Sequence, residues 1–261
     1  MRLQGLGRVV KSNEIIVGVV LLAGASMAVG APAKTVDIEL KGEGYAFEYS
    51  YPVIARQYPQ LQREINKLKT TQLEELQSLA KEMQSNDDAM VRGMMMETDT
   101  TWATVTDLPD YLSLTKGSWS FSGGAHGYWW RNSLVWDKKA VKTREPIEFF
   151  ASRMAFDQMV QTAYCDLLDV ERSARREGEK VDRSQIDDWM QACPKPSELV
   201  VILGSSNGRK FNRMAIYAAP YAVGPYSEAD YEIDVPITDA LLATIKPAYR
   251  SAFEVTPKAR K

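Results

Sequence analysis

The chain has 261 residues, 45% of them hydrophobic and 25% charged, with a formal net charge of −2 and a pI near 5.7. This is the composition of a globular protein with enough chain for one large domain or two small ones, and it offers no general basic field for phosphate backbones, so nucleic-acid binding is not expected. One histidine and two cysteines are too few for a common zinc site, so no metal and no cofactor is expected.

Arg2, Arg8 and Lys11 precede an apolar run over 15–29, which ends in Gly30-Ala31-Pro32-Ala33. That is the order of a signal peptide, so residues 1–33 are expected to direct export to the periplasm or beyond and to be cleaved after Ala31 or Ala33. The run is shorter than the roughly 20 residues of a spanning helix, and membrane contact is expected only if the segment is retained as an anchor. Ser26 stands where a lipid-bearing cysteine would follow Leu22-Ala23-Gly24-Ala25. In an oxidising compartment Cys165 and Cys193 are expected to form a disulfide. Residues 251–261, ending in Lys258-Ala259-Arg260-Lys261, read as a solvated tail.

Alternation predicts strands at 35–41 and 45–51, joined across Gly42-Glu43-Gly44. Over 59–84, Leu61, Ile65, Leu68, Leu76, Leu79 and Met83 recur at helical spacing with Gln72 in the gap, an amphipathic helix packed on the protein's own sheet. Met94-Met95-Met96 reads as a half-buried entry to a strand over 100–106. Residues 111–150 hold the single histidine and four of the six tryptophans, and form a long hairpin turning at Ser122-Gly123-Gly124-Ala125-His126-Gly127, with a second turn at Asp137-Lys138-Lys139-Ala140. A helix follows over 151–176, with Met154, Met159, Ala163 and Leu167 on its apolar stripe. A short one over 184–192 ends at Pro194 and Pro196. Strands at 198–203 and 211–218 surround Ser206-Asn207-Gly208, a type I′ signal. A strand at 231–235 and a helix at 238–245 capped by Thr238 complete the chain. Grouped strands and helices imply an α+β fold, a mainly antiparallel sheet with helices packed on one side, built as halves at 34–135 and 136–250 around a shared core.

The adjacent carboxylates Glu74-Glu75, Asp87-Asp88 and Asp187-Asp188 point to different sides of a helix and make no acid–base pair. Ser122 and His126 lie four apart in a turn where Gly123 and Gly124 have amides to offer an oxyanion, but nothing in the sequence orients the imidazole. No catalytic residue is therefore assigned. Tyr128-Trp129-Trp130 must send side chains to both strand faces, and aromatic faces stack on sugars or anchor protein interfaces. Ser122, Gly123, Gly124, His126, Tyr128, Trp129 and Trp130 are the candidate binding residues. Tyr217, Tyr221 and Tyr226 either line a groove or fill the core.

The Ser-Gly-Gly-Ala-His-Gly string, the following strand and turn, and Ile147-Glu148-Phe149-Phe150 together resemble a known family. It is the RsiV/PdaC-like extracytoplasmic domain of unknown function. Phe47-Glu48-Tyr49-Ser50-Tyr51-Pro52 and the stretch from Ile216 to Pro225 fit the same family in the same order. In that family the domain accompanies a lysozyme-sensing anti-sigma factor and a peptidoglycan deacetylase, which implies a cell-envelope setting. The expected function is an exported binding module for a lysozyme-like protein or peptidoglycan glycan. A peptidoglycan or ester hydrolase using His126 and a self-associating structural envelope protein are the alternatives.

Overall fold

The computed structural model describes residues 34–185 and 188–257. The expected signal segment and the end of the basic tail lie outside them. Strands β1 (Thr35–Gly42), β2 (Tyr45–Pro52), β3 (Met96–Asp107), β4 (Tyr111–Phe121), β5 (Tyr128–Asp137) and β6 (Lys142–Arg144) lie side by side, in chain order, in one sheet. All neighbours are antiparallel except β2 and β3. Those two run parallel because α1 (Pro59–Gln84) and the short α2 (Ala89–Arg92) carry the chain back over the sheet between them. Helix α3 (Arg153–Arg175) then leads to a second antiparallel sheet of β7 (Val200–Gly204), β8 (Arg213–Ala218) and β9 (Tyr231–Asp234), and α4 (Asp239–Ala243) follows. The architecture is α+β and mainly antiparallel. No described helix is long and apolar enough to cross a membrane.

Strand alternation decides how the layers stack. Phe47, Tyr49, Trp102, Leu112 and Trp136 share one face of the large sheet, where Leu61, Ile65, Leu76 and Ala80 of α1 cover them. On the small sheet, Ile202, Ala215 and Tyr217 pack with Val105 of β3, whereas Val201, Leu203 and Ile216 join Phe156, Val160 and Leu168 of α3. Each sheet thus carries its helix on one side. Leu108, in the turn between β3 and β4, and Val135 of β5 enter the α3 cluster, so the interior is continuous there, and the expected boundary at 135/136 falls inside β5.

Several expectations are corrected at the level of single residues. Leu68 is exposed, and the buried stripe of α1 runs through Gln72, whose amide meets Thr100 Oγ1 at 3.4 Å while that hydroxyl lies 3.0 Å from Ser118 Oγ. A polar residue sits in the stripe because the sheet presents hydroxyls beneath it. On α3 the expected stripe is out of phase: Met154, Met159 and Leu167 are exposed, and Phe156, Val160, Tyr164, Leu168 and Arg172 are buried. Hydropathy alone discounts a stripe that contains an arginine. No helix forms in the described part of 184–192, which runs through turns such as Gln191 N to Asp188 O. The expected type I′ turn is a longer loop between β7 and β8, in which Asn207 Oδ1 accepts from the Arg209 amide and only Gly208 has positive φ. Glu198 ends a 3₁₀ turn rather than opening a strand. The fold also extends past 250, because Phe253 is buried and bridges to Phe211.

Candidate functional site

The site is built at the free end of the β4–β5 hairpin. Gly123 and Gly124 have φ of 98° and 93°, a region that L side chains avoid. Gly127 is required for a different reason: a Cβ there would lie 2.3 Å from Trp119 Nε1, so the indole packs directly on its backbone. Beyond the turn, Tyr128 and Trp130 share a face and stack with centroids 6.0 Å apart, while Trp129 lies on the other face opposite Trp119, also at 6.0 Å. Tyr128 and Trp129 are 46% and 51% exposed, and Trp130 is half-buried.

His126 is fixed from several directions. Its Nδ1 is 2.9 Å from the Gly127 carbonyl, which can only accept, so Nδ1 carries the hydrogen. Nε2 faces the Tyr221 hydroxyl at 3.4 Å. The imidazole stacks on Tyr226 with centroids 3.8 Å apart, and the Tyr226 hydroxyl donates to the same Gly127 carbonyl at 2.9 Å. Both ring nitrogens have partners other than Ser122, which is exposed at the turn.

Tyr221 and Tyr226 come from the loop after β8, and Trp189, with its ring 6.3 Å from Tyr221, comes from the loop after α3. The tyrosines fall on the groove side of the two readings open in the sequence, but Tyr217 is buried. Trp189 was not anticipated; it lies in the stretch expected to form the short helix over 184–192. Both loops hang from the last turns of α3. The fully buried Arg172 donates from Nε to Val223 O at 2.8 Å, and from Nη2 and Nη1 to Ala192 O and Gln191 O at 2.9 and 3.2 Å. Burial holds this guanidinium below its ordinary pKa, although Asp169 opposes the shift. Arg176 bonds Glu228 at 2.7 Å and Met190 O at 3.1 Å, and Arg175 reaches Asp230 O at 2.7 Å. Burial pushes the Glu228 carboxyl up, but bonds from Arg176 and Tyr231 outweigh it and leave the group below its usual range. Cys165 and Cys193 are disulfide-bonded with Cα atoms 5.8 Å apart, which ties the first loop to α3 a second time.

Two residues near this site hold positive φ without being glycine. Tyr221 lies at 70°, and Ala229 at φ 59°, ψ −153°, a region occupied almost only by glycine. Strain of that kind, about 1 to 3 kcal/mol per residue, persists where the surroundings over-determine the backbone, and the arginine bonds to 228 and 230 do so here. Among the described residues there is no cluster of three or more histidine, cysteine or carboxylate side chains that would hold a metal ion.

Among curated proteins, none matches the chain. Solved structures that resemble it include a member of the DUF3298 family from Bacteroides fragilis, 13% identical over 78% of this chain and 90% of that one, with a TM-score of 0.47. A DUF3298 family protein from Pseudomonas aeruginosa is 14% identical over 86% of this chain and 98% of that one, with a TM-score of 0.44. The family model described as Deacetylase PdaC matches residues 38–128, from within β1 to the first residue of β5. The match therefore takes in the large sheet up to and including the glycine-rich turn. Over residues 38–128 the chain is thus similar to the family described as Deacetylase PdaC.

Proposed function

We propose that the protein is an exported binding module of the cell envelope that captures a lysozyme-like protein or peptidoglycan at the tip of the β4–β5 hairpin. The observation that carries this reading is the half-exposure of Tyr128 and Trp129 on a tip braced by side chains from the other half of the chain. Large aromatics held rigid at a surface give contact area at low entropic cost. The PdaC-like match and the disulfide both fit an extracytoplasmic setting. In this reading residues 1–33 are the cleaved export signal, 34–135 carry the tip, and 136–250 supply the loops that brace it. Hydrolysis at His126 finds no support in the geometry, because a base for Ser122 needs a free ring nitrogen directed at it.

The test is capture of purified lysozyme and of peptidoglycan sacculi by the mature chain beginning at Lys34. Wild-type protein is expected to retain one of them, and Tyr128→Ala to weaken retention by about thirtyfold while unfolding near the wild-type temperature. Failure to retain either ligand, or equal retention by Tyr128→Ala, removes the reading.

A further inference from the structure

Below the hairpin tip, on the face opposite Tyr128, a cleft of about 430 Å³ opens between β4–β5 and the small sheet. Trp129, Arg131 and Tyr226 line it together with Tyr217, Asp230 and Gly117. The volume lies in the lower part of the ~300–1,000 Å³ range of ligand pockets, enough for a ring or two and too little for a folded segment.

Gly117 is the informative residue. It sits in mid-strand, paired with Arg131 on β5 and Thr101 on β3, where glycine weakens a strand by roughly 0.5–1 kcal/mol. Neither φ nor packing calls for it: its φ is not positive, and an added Cβ would meet nothing nearer than Thr101 O at 3.9 Å. What the missing side chain leaves is space, because Gly117 lines the cleft.

The walls supply two kinds of contact. Trp129 is half-exposed and Tyr226 is partly exposed, giving apolar ring faces. The charges are matched: Arg131 pairs with Glu232, lies 4.0 Å from Asp230 and covers the Tyr217 ring at 4.7 Å. A cationic guest meets Arg131, and an anionic guest meets Asp230. A neutral guest with hydroxyl groups suits both, since the Asp230 carboxylate accepts, the guanidinium donates and the ring faces meet C–H groups. From this combination we infer that the cleft is a subsite for one pyranose ring of a neutral oligosaccharide. The inference rests on the reading of the chain as an envelope binding module, and deepens it by naming the ligand class of one face.

The test uses tetramers of β-1,4-linked glucose and of β-1,4-linked N-acetylglucosamine, titrated into the mature chain and read by tryptophan fluorescence and calorimetry. At least one tetramer is expected to bind and to perturb tryptophan emission. Trp129→Ala and Gly117→Leu are each expected to weaken that binding by about tenfold or more, and Leu68→Ala, on the far layer, to leave it unchanged. Gly117→Ala is carried alongside as the milder filling of the floor should leucine disturb folding. Binding of neither tetramer overturns the proposal, as does equal binding by wild type and both Gly117 variants. Lysozyme capture is measured on the same proteins. If Gly117→Leu loses lysozyme while no tetramer binds, the occupant is a protein side chain, and the saccharide proposal falls while the binding-module reading stands.

Discussion

The two ends of the β4–β5 hairpin are made of the same kinds of residue and live in opposite environments. At its base Trp136 is 1% exposed, packed under α1 and 6.1 Å from Tyr58, and its neighbour Val135 is buried on the other face in the α3 cluster. At its tip Tyr128 and Trp129 are about half exposed on the same strand. Strand propensity and aromatic content do not differ between these ends; the layers that cover them do. The base is sandwiched between α1 and the small sheet, whereas the tip is held by single side chains, His126 against Tyr221 and Tyr226. An aromatic residue is core or surface according to how far along the hairpin the next layer reaches.

The comparison is most directly broken at the base. Trp136→Ala is expected to cost about 3 to 5 kcal/mol in urea unfolding, and a loss below 1 kcal/mol, about the size expected at the surface, would mean that the base is not core. Next is Arg172→Met, which keeps the apolar stem and removes a donor set from the carbonyls of Val223, Gln191 and Ala192. Buried acceptors left unpaired make a cost of about 3 kcal/mol reasonable. Arg172→Lys should restore little, because an ammonium cannot present a planar fork to divergent carbonyls. Since both loops hang from Arg172, hydrogen exchange should quicken at 188–193 and 219–225 but not in β4 or β5. Uniform quickening across the large sheet would show that the tip and its brace are one unit rather than two.

Much of the large sheet was legible in sequence because its signals are local. The helix over 59–84 matches α1 at both ends, and the strand at 45–51 differs from β2 by one residue. The glycine-rich turn lies between the strands that flank it, as expected. β6 was not seen, because Lys142–Arg144 is too short to show alternation and exists by pairing with β5. The second half was harder for a physical reason. Its order depends on long-range arginine bonds to loop carbonyls, such as Arg172 to Val223 and Arg175 to Asp230, which leave no periodic trace. Of the candidate binding residues, the turn and its aromatics fall together at the hairpin tip, while the meeting of Trp189 with Tyr221, and of Tyr226 with the Gly117 floor, comes only through the tertiary fold.

A smaller effect separates bracing from strain. Ala229 holds a conformation that glycine adopts freely, between residues whose carbonyls Arg175 binds. Ala229→Gly removes strain of about 1 to 3 kcal/mol and returns roughly 0.5 to 1 kcal/mol to unfolded-chain entropy. The net expectation is a gain of about 1 kcal/mol in thermal unfolding. A loss of stability instead would show that the alanine methyl packs at the cleft rim strongly enough to outweigh its backbone.

The smallest stability change is expected where the sequence looks most hydrophobic. Trp129 contacts Trp119 at 6.0 Å but is 51% exposed, so truncation forfeits one aromatic pair and creates no enclosed cavity. Trp129→Ala should therefore cost less than about 1 kcal/mol, several-fold less than Trp136→Ala seven residues further along the same strand. Emission gives an independent check: the exposed indole should be quenched by acrylamide far more readily than the buried one, so Trp129→Ala lowers the quenchable fraction, with the exposed Trp189 left to supply the rest, whereas Trp136→Ala leaves that fraction in place. If the two substitutions destabilise the protein equally, the tip is as enclosed as the base and neither the hairpin surface nor the cleft beneath it is open to a ligand. If they separate as expected, Trp129 is held at the surface with its ring face open, which is what the proposed binding role requires of it.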